Sequence, residues 1–475
     1  MNAAAPAASL LRRTGWSRLG DPAALFVLIS LVIGAATIAI TPPLRGPDES
    51  AHFLRAYGYW LGDILPRQTD ALGRQGLLIP AAIERDYAFF ETERQKAGKN
   101  NFSYRPVMTE FRRLQAEGGP PRDPWTFVFF GGSEGYAPVA YVPYIVAAGI
   151  AHMAQLDFLP MLFLMRIAGL IAFTALTAYA IARTPVLPWC FFAVALIPSS
   201  AFARAVVSAD PAVLGTTLLV LALSLDAALN RRSSLVTRAI WMTLCTLTKP
   251  SQVAFVLLEL MVRPLHWVPR ALPAILCVAL PGVVLSALWV VAVGAEMGAW
   301  RLYHGTDITA EQFSVVWKTK FMLTHPLHLP SIMWESVDYL PELGRQLIGI
   351  LGWLDMRLHV LAYPMIAVLL ILASLGAIKV DGETRRRIAW IAALTAFGYF
   401  NFVAYLLFVT STPTQADRLL GIQGRYYVML VPLLALVLAA MLRRAPTRLV
   451  PAAAIACALV SSIATVEAVL RSEWR

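Results

Sequence analysis

The run Arg45-Gly46-Pro47-Asp48-Glu49-Ser50-Ala51-His52-Phe53-Leu54-Arg55 places two carboxylates, an imidazole and two guanidiniums within eleven residues. Pro47 just ahead of the acids reads as a helix start, with carboxylates in the first turn. At about 100° per residue, Asp48, His52, Arg55 and Tyr59 fall within about 60° of arc. Phe53, Leu54, Tyr57, Trp60, Leu61 and Ile64 take the opposite side, and Glu49 lies at the boundary. The pattern predicts a helix lying on the bilayer surface, its rings buried and its polar stripe facing a cleft. Such a stripe suits transfer of a group onto a hydroxyl. A carboxylate takes the hydroxyl proton, with His52 as the alternative base, and such help is typically worth ~10²–10⁴ in rate. The same residues also fit a solvated face on which Asp48 and Arg55 merely pair, worth roughly 0–1 kcal/mol. A third reading gives Asp48, Glu49 and His52 a divalent cation, although such ligands crowded into five residues are a weak metal signal.

Three later polar groups interrupt apolar sequence. Asp210, in Ser208-Ala209-Asp210-Pro211, sits at the junction of two hydrophobic runs. It reads either as a cleft acid or as a helix-start residue. Lys249, in Leu247-Thr248-Lys249-Pro250, is the one Lys or Arg inside its run. A cation near a helix centre costs roughly 2.5–3.5 kcal/mol on insertion scales, so it should face a cavity or a partner. Gln423-Gly424-Arg425-Tyr426 opens a further run, with Arg418 seven residues before Arg425. Snorkelling to headgroups is the plainer account of Lys249 and Arg425. Taken together, Arg55, Lys249, Arg418 and Arg425 suit a phosphate, which Arg grips as a fork and Lys as a point charge. The apolar walls suit a long lipid tail. A lipid-linked phosphosugar needs both.

The composition says what positions these groups. Of 475 residues, 58% are hydrophobic and only 15% charged, too little polar surface for a soluble fold. This excludes a soluble enzyme on one anchor, a disordered chain and a disulfide-stapled module. The fold class expected is an all-α polytopic membrane protein. The net charge of +11 reflects Arg and Lys gathered in cytoplasmic loops rather than a nucleic-acid partner. Cys190, Cys245, Cys277 and Cys457 all lie in apolar stretches and have no metal-ligand spacing, so they read as packing residues.

Residues 1–21, with Arg12, Arg13 and Arg18, are expected in the cytoplasm and 22–41 as an uncleaved first span. Residues 42–160 then form a large outer loop with interfacial helices. Its part 42–135 carries twelve basic and twelve acidic residues, and loops this long do not vote on orientation. Keeping the later basic clusters inside predicts spans at 161–182, 186–205, 211–229, 271–294, 359–379, 388–410, 426–441 and 449–470. Under that rule 136–153 is an incomplete crossing, and 239–262 is a hairpin of two short helices with Lys249 at its tip. Residues 161–294 make a bundle containing that hairpin, 295–358 a second outer loop with surface-lying helices, and 359–470 the C-terminal helices. No internal repeat or inverted-half symmetry of the transporter kind is present in the sequence.

Pro47-Asp48-Glu49-Ser50-Ala51-His52-Phe53, Ser208-Ala209-Asp210, Thr248-Lys249-Pro250, Gly352-Trp353-Leu354-Asp355 and Gln423-Gly424-Arg425-Tyr426 occur in an order that resembles the bacterial membrane-protein family known as domain of unknown function 2142, over roughly residues 25–440. That family looks like a relative of the GT-C glycosyltransferases, polytopic enzymes that take sugars from polyprenyl-phosphate donors on the outer side of the membrane. The resemblance implies a GT-C-like bundle in the bacterial inner membrane, with Asp48 as base and Glu49 as its understudy. It implies Asp210 as a second acid lining the cleft and Lys249 near the donor phosphate. Arg425 follows by position as another phosphate contact, with Gln423 and Tyr426 beside it. The family motif usually has Pro after the Asp-Glu pair, where this chain has Ser50, a change that leaves the acid in place. Expected partners are the bilayer, the lipid-linked sugar and a glycan, lipid or protein acceptor. A flippase for a lipid-linked sugar, a polysaccharide polymerase or ligase, and a non-catalytic scaffold are the competing functions.

Overall fold

In the computed structural model, residues 21–474 are described apart from 72–73, 97–102, 118–124, 131, 134, 264–267, 294–313, 443 and 445. Residues 1–20 of the cytoplasmic segment expected at 1–21, and the start of the loop expected at 295–358, lie outside the described residues. The chain is a mostly helical, all-α-class polytopic membrane protein with little sheet. Seven helices among the described residues are long and apolar enough to cross a bilayer: Pro22–Ile40, Phe158–Arg183, Asp210–Leu229, Leu272–Val293, Gly382–Ser411, Gly424–Met441 and Leu449–Glu473. Local chemistry sets their starts. Asp21 caps the first helix by accepting from the Ala23 amide at 2.9 Å, and Asp381 does the same for Thr384 at 2.9 Å; each satisfies an otherwise orphaned N–H.

Asp210–Leu229 is the central helix, buried along nearly all its length. It packs on Phe158–Arg183, and the first helix packs on that same neighbour. Two expected spans are not continuous helices. Residues 186–205 divide into Pro188–Leu196 and Pro198–Arg204. Pro198 holds Ile197 extended, with ψ 152°, as a residue before proline prefers. One carbonyl at the break is met from within, because Arg204 Nη2 donates to Ala195 O at 2.5 Å. The run 359–379 forms only the 12-residue helix Ala362–Ala373, about 18 Å long.

Residues 235–261 double back. Helix Leu235–Thr248 ends at Lys249, which is extended (φ −160°, ψ 133°) ahead of Pro250, and a 3-10 helix Pro250–Met261 returns. Arg238 Nε donates to Glu259 Oε1 at 2.8 Å, although a straight helix would hold residues that far apart in sequence about 30 Å from each other. The pair closes the open end of the hairpin and leaves Lys249 at the tip.

The segment between the first span and residue 135 is more than helices. Gln68–Thr69, Gln75–Pro80 and Trp125–Phe129 form an antiparallel sheet in that order, beside helices Ala81–Lys96 and Tyr104–Glu117. Helix Glu49–Trp60 does not float on a bilayer surface: every residue from Glu49 to Tyr59 is buried. It lies against Val142–Met153, and Phe53, Tyr57 and Tyr59 join a core with Tyr87, Phe90, Tyr141 and Phe158. A 100° stripe therefore describes its sequence but not its surroundings, because the Asp63–Ile64 backbone, Tyr136 and Tyr141 cover the polar side.

Candidate active site

Four distant segments meet where the first loop joins the bundle. Asp48 precedes helix Glu49–Trp60, Asp210 opens the central helix, Lys249 is the hairpin tip, and Arg425 sits in the 3-10 turn Gly424–Tyr427. That turn can approach because residue 424 has no side chain: a Cβ there would stand 2.0 Å from Leu343 O. The Gly424 amide instead donates to Gln346 Oε1 at 2.8 Å.

Arg425 is the hub. Its Nη2 donates to Asp48 Oδ2 at 2.5 Å, and its Nε lies 3.7 Å from Asp210 Oδ2. Lys249 Nζ stands 3.7 Å above the Tyr426 ring centroid and, among the described residues, has no carboxylate within ion-pair distance. Asp210, Lys249, Arg425 and Tyr426 line one cleft of about 490 Å³, counting its open mouth, with Ser199, Ser200 and Tyr399. Val213, Leu214, Val428 and Met429 supply its apolar wall. Asp48 stands at the edge, 42% exposed, on the side chain of Arg425.

A polar strand of contacts beneath the cleft holds these elements together. Thr217 of the central helix donates to Gln252 Oε1 at 2.9 Å, Gln252 Nε2 donates to the Tyr399 hydroxyl at 3.3 Å, and Tyr399 donates to Tyr426 O at 2.6 Å. The helix bearing Asp210, the hairpin bearing Lys249 and the turn bearing Arg425 are thus tied in series. Buried polar groups left unpaired are costly, so the chain fixes the relative positions of the three.

The electrostatics separate the two candidate bases. Burial pushes the Asp48 carboxyl up, but Arg425, His52 and Lys249 together outweigh it and hold the group below its ordinary value. Asp48 is therefore ionised at neutral pH. Burial lowers His52 to about 4, against the opposing pull of Asp48 and Asp210, so the imidazole is neutral and a poor proton acceptor. His52 Nδ1 is 2.6 Å from the Tyr141 hydroxyl, and its ring meets Tyr136 edge-on at 5.3 Å. Burial likewise raises the Tyr136 phenol well above its ordinary value.

Other expected residues lie elsewhere. Glu49 is fully buried, with both oxygens engaged: Arg166 donates from Nε at 2.8 Å and Nη2 at 2.7 Å, Val207 N at 2.9 Å and Gly46 N at 3.0 Å. It anchors the loop to the bundle and has no free lone pair directed at the cleft, which removes it as an understudy base. Nor do Asp48, Glu49 and His52 converge as metal ligands, for Glu49 belongs to Arg166 and His52 Nδ1 to Tyr141; among the described residues no three such side chains form a metal cluster. Arg55 points away, donating to Asp63 O at 3.2 Å and Ile64 O at 3.0 Å beneath the Tyr59 ring. Arg418 is exposed and lines no part of the cleft. Gln423 is half-buried at the start of the Arg425 turn, with Oε1 unpartnered.

Arg166, Gln252 and Tyr399 escaped the sequence reading. The signal for Arg166 was present, since a lone arginine inside an apolar span demands a partner. Gln252 and Tyr399 are single polar residues in apolar runs, and only tertiary contact distinguishes them from others of that kind.

No curated protein and no solved structure matches this chain. A model of the family described as "Predicted membrane protein (DUF2142)" matches residues 31–437, most of the sequence, and the chain belongs to that family.

Proposed function

We propose that the protein is an inverting membrane glycosyltransferase of GT-C type, moving a sugar from a polyprenyl-phosphate donor to an acceptor hydroxyl in envelope or polysaccharide assembly. The observation that carries this reading is the convergence of Asp48, Asp210, Lys249 and Arg425, with Lys249 free of any carboxylate within ion-pair distance among the described residues. An unpaired amine beside a guanidinium, over an apolar wall, suits the phosphate of an amphiphilic donor. In this reading the cleft faces the outer side of the bacterial inner membrane, and the N-terminus is cytoplasmic.

The acceptor hydroxyl gives its proton to Asp48 as its oxygen attacks the anomeric carbon. The bond from that carbon to the donor phosphate oxygen breaks, and polyprenyl phosphate leaves with the electron pair. Lys249 and Arg425 stabilise the negative charge that develops there. Arg425 serves two anions in turn. As the phosphate draws its guanidinium, Asp48 loses the charge that keeps it acidic and becomes a stronger base, so the base strengthens once donor is bound.

The test uses the purified chain in lipid vesicles with polyprenyl-phosphate sugars labelled in the sugar. Release of free polyprenyl phosphate with label on an acceptor is the expected result, and Asp48→Asn should abolish it with folding intact. Label that crosses the bilayer still lipid-linked would establish a flippase instead. Neither transfer nor movement would leave a scaffold. The size of the labelled product separates single transfer from polymerisation.

A further inference from the structure

The motif Gly352-Trp353-Leu354-Asp355 touches no part of the cleft. It forms the tight turn between Ile350–Leu351 and Met356–Arg357, with φ of 62° at Gly352 and 63° at Leu354. Its side chains reach instead for the residues just before Asp48. Trp353 Nε1 donates to Leu44 O at 3.2 Å, and Asp355 Oδ2 accepts from Arg45 Nη2 at 2.7 Å. Glu473, at the end of the last helix, accepts from Nε of the same guanidinium through Oε2 at 3.0 Å and from its Nη2 through Oε1 at 2.7 Å. Arg45 and Glu473 are each 1% exposed. Trp353 is held in turn by Arg94, whose guanidinium lies 3.8 Å over its ring.

The segment these groups grip has an unusual backbone. Leu44 (φ 61°) and Asp48 (φ 52°) are both left-handed without being glycine, a conformation that persists only where surrounding contacts impose it. The contacts fall on either side of Asp48. Downstream, Glu49 is fixed by Arg166 and by Val207 N; upstream, Trp353, Asp355 and Glu473 fix Leu44 and Arg45.

We propose that Trp353, Asp355 and Glu473 are positioning residues that act through Leu44 and Arg45 to hold the 44–48 segment in the turns that aim Asp48 at Arg425. The inference rests on the reading of Asp48 as the base and adds the long-range brace that keeps it in place. Losing a contact of this brace lets Leu44 and Asp48 relax toward right-handed backbone, which swings the Asp48 carboxylate off Arg425 and away from an incoming hydroxyl.

Amide hydrogen exchange on the purified full chain reads the brace directly. Glu473→Gln and Trp353→Phe should speed exchange at the Arg45, Gly46 and Glu49 amides by about tenfold or more, while the central helix Asp210–Leu229 stays protected. In the transfer assay kcat should fall about tenfold with the donor KM unchanged, because Lys249 and Arg425 remain in place. Should Glu473→Gln fail to fold, Asp355→Asn removes the partner that is 24% exposed and carries the same test. Unchanged exchange at those amides in folded variants, or a raised donor KM with kcat intact, would overturn the proposal. Exchange needs no substrate, so the brace is decided even for a protein that transfers no sugar.

Discussion

Arg425 Nη2 donates to Asp48 Oδ2 at 2.5 Å, a bond between residues 377 apart in sequence. It makes the ionisation of Asp48, the proposed base, depend on a side chain from far along the chain. Replacing Arg425 with Gln removes the charge that opposes burial at Asp48, so the carboxyl pKa must rise. The acid limb of kcat/KM against pH should then move to higher pH by about one unit or more. Under the proposed transfer turnover also falls, since the departing phosphate would lose a cation. An acid limb that stays where it was would mean that Asp48 is not the base.

Glu49 and Arg166 are both fully buried, so their substitution tests anchoring rather than chemistry. Glu49→Gln leaves the Arg166 guanidinium uncompensated and should cost about 3–5 kcal/mol. The double change to Glu49→Gln with Arg166→Met should recover part of that loss, because neither partner then strands a charge. Thermal unfolding in detergent measures both. A Glu49→Gln protein of normal stability but no transfer would return Glu49 to the catalytic set.

The extent to which this arrangement was legible in the sequence follows from the range of each signal. Apolar runs are local, so the long helices could be read directly; Pro198 and Pro250 broke two of them at the residues where a missing N–H and a crowded neighbour require it. Asp48, Asp210, Lys249 and Arg425 stood out because charge beside apolar sequence needs a partner, and they meet at one cleft. Helical periodicity failed for Glu49 and Arg55. It assigns residues to an arc without saying what covers that arc, and here Arg166 from another helix and the Asp63–Ile64 backbone do so. The sheet in the first loop went unread because its strands are short and its pairing is non-local.

His52 predicts the pH dependence of stability. Its folded pKa of about 4 lies below the ordinary histidine value near 6.5, so the unfolded chain binds the extra proton first. The contribution of the neutral ring is complete above about pH 6.5 and is lost progressively as pH falls toward 4. Melting temperature in detergent should drop across that window, and His52→Gln should flatten the decline relative to the parent. An equally steep decline in the variant would assign the effect to other groups.

Lys249 is the residue at which the proposed donor binding can be tested apart from the proposed proton transfer. Its amine lines the cleft with Arg425 but makes no ion pair to Asp48 or Asp210 within 4.0 Å, so its removal leaves the Asp48–Arg425 pair intact. Lys249→Gln should raise the KM for a polyprenyl-phosphate sugar by about tenfold or more, since one charged contact to phosphate is worth about 1.5–3 kcal/mol. The acid limb assigned to Asp48 should shift only slightly, because Arg425 remains its nearest cation. Lys249→Arg should recover binding in part, for the charge returns but the guanidinium fork is bulkier than the amine it replaces. If Lys249→Gln instead lowered kcat at unchanged donor KM, the amine would be acting on the departing phosphate alone, and the ground-state phosphate contact would have to come from Arg425.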